Sequence, residues 1–312
     1  MLLYIVRRTG QMVPTMLGVV LLVFILFNWV GGDPAYILAG KMSNPAQIAN
    51  VRAQLGIDQP YWVQLWIFIK QIATFDFGNS WSTGESVASI IGTRLGPTLT
   101  VLIPLTILET VIAIALALAV AYVRGSLTDR AVMIACTVGM SISILVYIIV
   151  FQYWLAYKLG WFPVQGWSES FSENLFRNSV LPIIILLAVS IAPNLRLFRT
   201  FVLDEINQDY VRTARAKGLS ESRIMWVHVL RNAAIPIITH VMSNLPALLI
   251  GAFLVERFFS IPGLGREVLQ AVERSDFPVI KAITVYVAAA TMLFNLLADL
   301  MYRLVDPRVH LK

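Results

Sequence analysis

Apolar residues along this chain gather into six long, nearly uncharged runs, at about 9–31, 98–123, 131–157, 178–199, 232–255 and 279–304. Each matches or exceeds the roughly 20 residues that cross a hydrocarbon layer about 30 Å thick at about 1.5 Å per residue. Lipid offers backbone N–H and C=O groups no partner, so every run is predicted to be a helix. The pattern predicts an all-α membrane protein with six transmembrane helices. Arg7 and Arg8 precede the first run, which continues from Thr9 to Gly32. That is longer than the roughly 7–15 residues of a signal-peptide core, so the run reads as an uncleaved span.

Two polar stretches between runs exceed what a simple connection requires. The first, Asp33 to Gly96, carries Tyr61, Trp62, Trp66 and Phe68 at a spacing that suits a short amphipathic helix at an interface or against a partner. The second, Arg199 to Arg231, reads as helix, glycine turn, helix. Acidic Asp204, Glu205 and Asp209 come first and Arg212, Arg215 and Lys217 later, which complements the dipole of a helix ending at Gly218. Ser220 is placed as the N-cap of a second helix through Ile224, Trp226, Val227 and Leu230. Two short helices at an angle make a knob whose small Ala214 and Ala216, aromatic Tyr210 and basic edge suit either a groove on another protein or an anionic lipid surface. The chain thus divides into a first span (1–31), an extracytoplasmic segment (32–96), a five-helix core (97–305) with the knob at about 200–231, and a tail (306–312).

Composition strengthens the membrane reading. The 312 residues are 58% hydrophobic and 13% charged, against about 45–50% and about 25% in soluble domains. A net charge of +6 can signal nucleic acid, but many of the cations lie in short segments beside apolar runs. Numbering the loops alternately puts Arg7, Arg8, Arg124, Arg130, Arg196, Arg199, the knob cations and Arg303 on one side, which predicts that both termini are cytoplasmic. Cys136 is the only cysteine and lies in an apolar run, so it forms no disulfide within the chain.

The knob resembles the cytoplasmic loop of the binding-protein-dependent permeases of type I ABC importers. That loop follows a Glu-Ala-Ala, three residues, Gly, nine residues, Ile-x-Leu-Pro pattern. Aligned here are Arg212-Thr213-Ala214, Gly218 and His228-Val229-Leu230-Arg231, of which Ala214, Gly218 and Leu230 match. The fuller run Asp209 to Leu219, with Leu230-Arg231-Asn232-Ala233 and Pro236, is similar to the peptide-permease branch. Resemblance extends through Tyr4 to Arg8, Gly32-Asp33-Pro34, Leu55 to Pro60, Phe77-Gly78-Asn79-Ser80, Phe259 to Arg266, Asp276-Phe277-Pro278 and Asp306-Pro307-Arg308. Together these look like the first of two permeases in importers of dipeptides, oligopeptides, glutathione or chelated nickel in a bacterial inner membrane. The loop Lys158 to Arg177 is short against some members.

The resemblance implies a second permease subunit, two ATP-binding subunits and an extracytoplasmic solute-binding protein. The chain itself has no Gly-x-x-x-x-Gly-Lys-Ser/Thr phosphate loop, so ATP and magnesium are expected on the partners. Contact with the ATPase would fall to Tyr210, Arg212, Thr213, Ala214, Arg215, Ala216, Lys217, Gly218 and Leu219. Contact with the binding protein would fall to parts of 33–94 and 256–276, where Pro262-Gly263-Leu264-Gly265 forms a turn.

Polar groups at membrane depth are the remaining candidates, because a charge at mid-bilayer costs at least about 2.5–3.5 kcal/mol on insertion scales. Glu109 lies mid-span, and His240 with Asn244, like Asn295 with Asp299, shares a helix face at i, i+4. All five either line a pathway or tie helices together. His228 and His310 lie far from His240 in cytoplasmic segments, so no metal site is expected. A secondary transporter would show inverted repeats and broken midplane helices, and a membrane enzyme would show a clustered nucleophile, base or metal set. Neither signature is visible.

Overall fold

A computed structural model describes residues 2–30, 35–36, 44–246 and 252–305. Gly32-Asp33-Pro34, Asp306-Pro307-Arg308 and the tail 306–312 lie outside the described residues. Helices account for nearly all regular structure: α1 (Leu2–Ile25, extended by a π-helical turn Leu26–Val30), α2 (Pro45–Leu55), α3 (Tyr61–Thr74), α4 (Val87–Tyr122) and α5 (Leu127–Ser141). There follow α6 (Ile144–Lys158), α7 (Val180–Ile206), α8 (Asp209–Ala216), α9 (Glu221–Asn244), α10 (Phe253–Phe258), α11 (Leu264–Glu273) and α12 (Phe277–Val305). Among the described residues the only β pairing is an isolated bridge between Asn79 and Ser86.

Among the described residues five helices are long and apolar enough to span a membrane: Val6–Asn28, α4, α7, α9 and Phe277–Leu300. The run at 131–157, predicted as one helix, is instead two. α5 and α6 meet at 93° and pass the same test only as a pair, giving a sixth span if counted together. The break is built locally. Ile142 turns extended (φ −87°, ψ 129°), and the Ser143 hydroxyl accepts the Leu145 N–H at 3.3 Å. An N-cap of that kind satisfies an amide that a new helix start leaves orphaned. Tyr147 then donates to the Gly139 carbonyl at 3.1 Å, fixing the corner.

The fifth run is also displaced. Sequence placed it at 232–255, whereas α9 runs from Glu221 through a π-helical stretch, Ile224–Val229, to Asn244. What read as a short second knob helix is thus the first part of a span. Residues past 252 form the separate α10.

Among the described residues packing is organised in three apolar clusters. One joins α4, α5, α7, α8 and α9 through Leu118, Leu195, Phe198, Val202, Val211 and Ile237. A second joins α1, α3, the start of α4, α11 and α12 through Val23, Phe68, Ile90, Leu264 and Ile283. A third joins α4, α6, α7 and α10 through Leu105, Ile148, Ile185 and Phe259. Elsewhere Leu22, Ile107, Val111, Ile149 and Leu293 stay exposed, as helices facing lipid require. At the knob end, Asp129 accepts from Arg199 and from the Gly125 N–H, each at 2.8 Å, and Arg124 donates to Asn207 at 2.9 Å. These contacts bind the α4–α5 turn to the end of α7.

Candidate functional site

The knob begins where Gln208 turns extended and α8 starts at Asp209. A helix of eight residues is too short to hold itself in water. It is held by packing: Val211 and Ala214, at 0% and 7% exposure, enter the cluster shared with α4, α7 and α9. Tyr210 is half-buried and donates to Glu205 Oε2 at 2.7 Å. Burial above all, with the Glu205 carboxylate adding to it and Asn232 opposing, pushes the Tyr210 phenol up to about 12, so it remains a donor. α8 ends in a paired cap. The Gly218 N–H donates to the Arg215 carbonyl at 2.9 Å and the Leu219 N–H to the Ala214 carbonyl at 3.3 Å. This pattern needs a left-handed residue after the helix, and Gly218 sits at φ 75°. Arg215 then grips Glu221 with two bonds, Nε–Oε1 2.6 Å and Nη2–Oε2 3.1 Å, joining the end of α8 to the start of α9. Ser220 stands at the N-cap position but makes no side-chain cap bond.

Of the nine knob residues singled out from sequence, Arg212, Thr213, Arg215, Ala216, Lys217 and Gly218 are exposed, Tyr210 and Leu219 are half-buried, and Ala214 is buried. The exposed set forms a basic ridge on a rigid base. Ala214 contributes to that base rather than to the ridge.

Within the bundle, Glu109, His240 and Asn244 come together around a residue that sequence reading missed. Asn194 of α7 donates from Nδ2 to Glu109 of α4 and presents Oδ1 to His240 Nε2 of α9 at 2.9 Å. The Asn244 amide lies 3.0 Å from the same imidazole nitrogen. Phe198 packs its ring edge-on against His240, 5.8 Å between centroids. Beside this chain of bonds opens a cavity of about 370 Å³ bounded by Leu105, Thr106, Thr110 and Val241. The only sequence signal for Asn194 was an amide in an apolar run next to Pro193. Asn295 and Asp299 do not join this cluster. Asn295 is exposed on α12, and Asp299 pairs with Arg8 of α1 at 3.0 Å. Among the described residues no group of three or more His, Cys, Asp or Glu side chains is placed to hold a metal ion.

The Pro262-Gly263-Leu264-Gly265 turn faces inward. Gly263, Leu264 and Gly265 are buried and Pro262 half-buried. Their partner is Glu256 of α10, 2% exposed, whose carboxylate accepts from the Thr98 hydroxyl at 2.9 Å and the Arg266 N–H at 2.8 Å. Thr98 accepts the Leu264 N–H in turn at 2.8 Å. Burial raises the Glu256 carboxyl above its ordinary value, against the pull of these donors. A parallel clasp forms at Asp276, which accepts from Ser80 Oγ at 2.5 Å, the Trp81 N–H at 3.1 Å and Ser82 through both N–H and hydroxyl at 3.2 and 2.8 Å. The Phe77–Ser80 and Asp276–Pro278 motifs, far apart in sequence, thereby become one corner of the molecule.

Comparison with known proteins agrees with this architecture. Residues 109–311 match the family described as binding-protein-dependent transport system inner membrane component, and residues 1–102 match its N-terminal family. A probable peptide ABC transporter permease of Sinorhizobium fredii is 32% identical over 98% of both chains. A putative peptide transport system permease of Brucella suis is 34% identical over 98% of both. A glutathione transport system permease of Salmonella choleraesuis is 34% identical over the whole of both. With spans, knob and buried clasps all carried on a chain matched from end to end, this protein belongs to the inner-membrane permease components of binding-protein-dependent ABC transport systems.

Proposed function

We propose that the chain is the first of two permease subunits in an importer of small peptides, driven by two ATP-binding subunits and supplied by an extracytoplasmic solute-binding protein. ATP and magnesium belong to the ATP-binding subunits in this reading, and the chain holds no cofactor. Its knob is the coupling element. One observation carries that assignment: α8 is anchored by Val211 and Ala214 in the same cluster that reaches Phe198 and hence His240, while Arg212, Thr213, Ala216 and Lys217 face outward. A packed base with an exposed basic ridge suits docking into a groove on a partner, so that closure of the ATPases moves α7 and α9 as packed bodies. The concentration of Arg124, Arg130, Arg199, Arg212, Arg215 and Arg223 at the knob end supports a cytoplasmic knob and cytoplasmic termini.

Glu109, Asn194, His240 and Asn244 border the transport path in this reading, where their cavity offers polar groups to a peptide backbone. Glutathione is the second substrate reading, favoured by the relative in Salmonella choleraesuis that aligns along its whole length. Binding-protein contact falls to exposed residues around the buried turn, with Pro262 at its edge. The test is co-purification from mild detergent followed by reconstitution with the co-purified subunits. ATP hydrolysis stimulated by a loaded binding protein, and uptake of labelled dipeptide or glutathione, are expected. A chain that is recovered alone and transports without ATP overturns the assignment.

A further inference from the structure

At the end of the bundle opposite the knob, a second cavity of about 390 Å³ opens between the end of α1, α3, the 77–81 turn and the start of α12. Among the described residues that line it none is acidic, and one, Lys281, is a cation. Among the described residues Lys281 has no carboxylate within ion-pair distance. The nearby Asp276 already serves Ser80, Trp81 and Ser82. Lys281 Nζ instead lies 5.6 Å from the ring centres of both Phe27 and Phe68.

Lys281 is half-buried; two aromatic faces compensate an ammonium group by about 0.5–2 kcal/mol each, whereas full withdrawal from water costs several kcal/mol and partial withdrawal a share of that. A permanent anion in the cavity closes that gap. The walls narrow the choice of anion. Phe27, Phe68 and Phe277 make them aromatic, while among the described residues the Gln71 and Asn79 side chains make no bond within the protein and remain available as donors. Beside the cavity α1 exposes Leu21, Leu22 and Ile25, and α3 exposes Trp62 at 81% and Trp66 at 67%, the placement of an interfacial aromatic belt. A charged socket with aromatic and amide-bearing walls, beside a lipid-facing helix, matches a phosphate carrying acyl chains better than a freely soluble anion.

We propose that this cavity holds the phosphate of an anionic membrane phospholipid, with Lys281 as its counter-ion and Gln71 and Asn79 as further donors. The full-length chain, with its co-purifying subunits, is placed in nanodiscs of phosphatidylcholine containing up to about a third phosphatidylglycerol, and retained lipids are counted by native mass spectrometry. One phosphatidylglycerol per chain is expected to persist against the excess of phosphatidylcholine, with retention reduced at least tenfold in Lys281→Met and kept in Lys281→Arg. Lys281→Met is also expected to be more heat-resistant than wild type in pure phosphatidylcholine and to lose that advantage when phosphatidylglycerol is present. Wild type without preference for phosphatidylglycerol overturns the proposal, and that arm needs no variant. Equal retention in wild type and Lys281→Met overturns it as well. So does displacement of the lipid by millimolar inorganic phosphate or by a peptide, which would identify a soluble anion as the occupant.

Discussion

A single methyl group placed at Gly263 tests the Glu256 clasp. An ideal Cβ there falls 2.5 Å from Glu256 Cδ and Oε2 and 2.6 Å from Thr98 Oγ1, whereas relaxed non-bonded contacts lie at about 3.5–4 Å. Neither neighbour can swing aside. Glu256 and Thr98 are 2% and 0% exposed and are bonded to each other as well as to the turn. The carboxylate must therefore retreat by about 1 Å and surrender at least one donor. Overpacking costs about 1–3 kcal/mol and loss of a bond to a charged group about 1.5–3, so Gly263→Ala should destabilise by roughly 3–5 kcal/mol. In a protein of this size that corresponds to a fall of roughly 10 °C in melting temperature. Cys136, the only cysteine and 7% exposed, provides the readout, since a thiol-reactive dye reaches it only on unfolding. Scans at one fixed rate avoid the ambiguity of irreversible melting. Gly92→Ala is the control, because no atom lies within 4 Å of its added Cβ and α4 should tolerate alanine there. A Gly263→Ala protein that melts within about 2 °C of wild type refutes the reasoning.

Three further outcomes follow from named contacts. Burial raises the folded-state Glu256 carboxyl above its ordinary 4.5, so the folded form holds the proton more tightly than the unfolded one. Its stabilising contribution is then full below 4.5 and lost as pH rises through the folded value; wild type should lose melting temperature across that window relative to Glu256→Gln, and parallel curves would contradict this. Gly218→Val forces a β-branched residue to φ 75°, at a cost of about 1–2 kcal/mol; uptake should fall at least tenfold with insertion intact, and normal uptake would remove the knob from the coupling path. Asp276→Ala strips four donors of their acceptor, and hydrogen exchange at the Trp81 and Ser82 amides should accelerate at least tenfold while the α7 amides stay protected.

Hydrophobic pattern made most of the spans readable because lipid enforces one secondary structure wherever an apolar run is long enough. The end of α8 was equally readable, since a glycine following basic residues is a local signal for a left-handed cap. Local signals were missing where the reading went astray. No proline or charge interrupts the run across Ile142, and only the Ser143 cap and the Tyr147–Gly139 bond reveal the 93° corner. α9 begins eleven residues before its predicted start because Met225 and Val229 are buried on a face that the polar surroundings of the knob obscured. Glu256 and Asp276 bound a stretch that read as a candidate contact for the binding protein. Their actual partners lie 158 and 196 residues away, a distance that no local pattern spans. Asn194 escaped notice for the same reason, because its importance lies in joining Glu109 to His240.

That junction bears on how the knob and the bundle interior communicate in the proposed mechanism. Val211 and Ala214 share a close-packed cluster with Ile206, Val202 and Phe198, and the Phe198 ring abuts His240. Close-packed interiors shift between discrete packings rather than deforming continuously. A displacement imposed on α8 is therefore passed to α7 and α9 as whole helices. The Glu109–Asn194 and Asn194–His240 bonds cross the α4–α7 and α7–α9 boundaries, where relative motion must be absorbed. Polar groups in apolar surroundings cannot be left unpaired without a cost of about 1–3 kcal/mol each, so a second packing is accessible only if these groups find new partners. The 370 Å³ cavity beside them provides the space for such partners, whether water or the backbone of a peptide. A transporter built this way would change packing most readily when the cavity is occupied, which ties the motion of the knob to the presence of substrate.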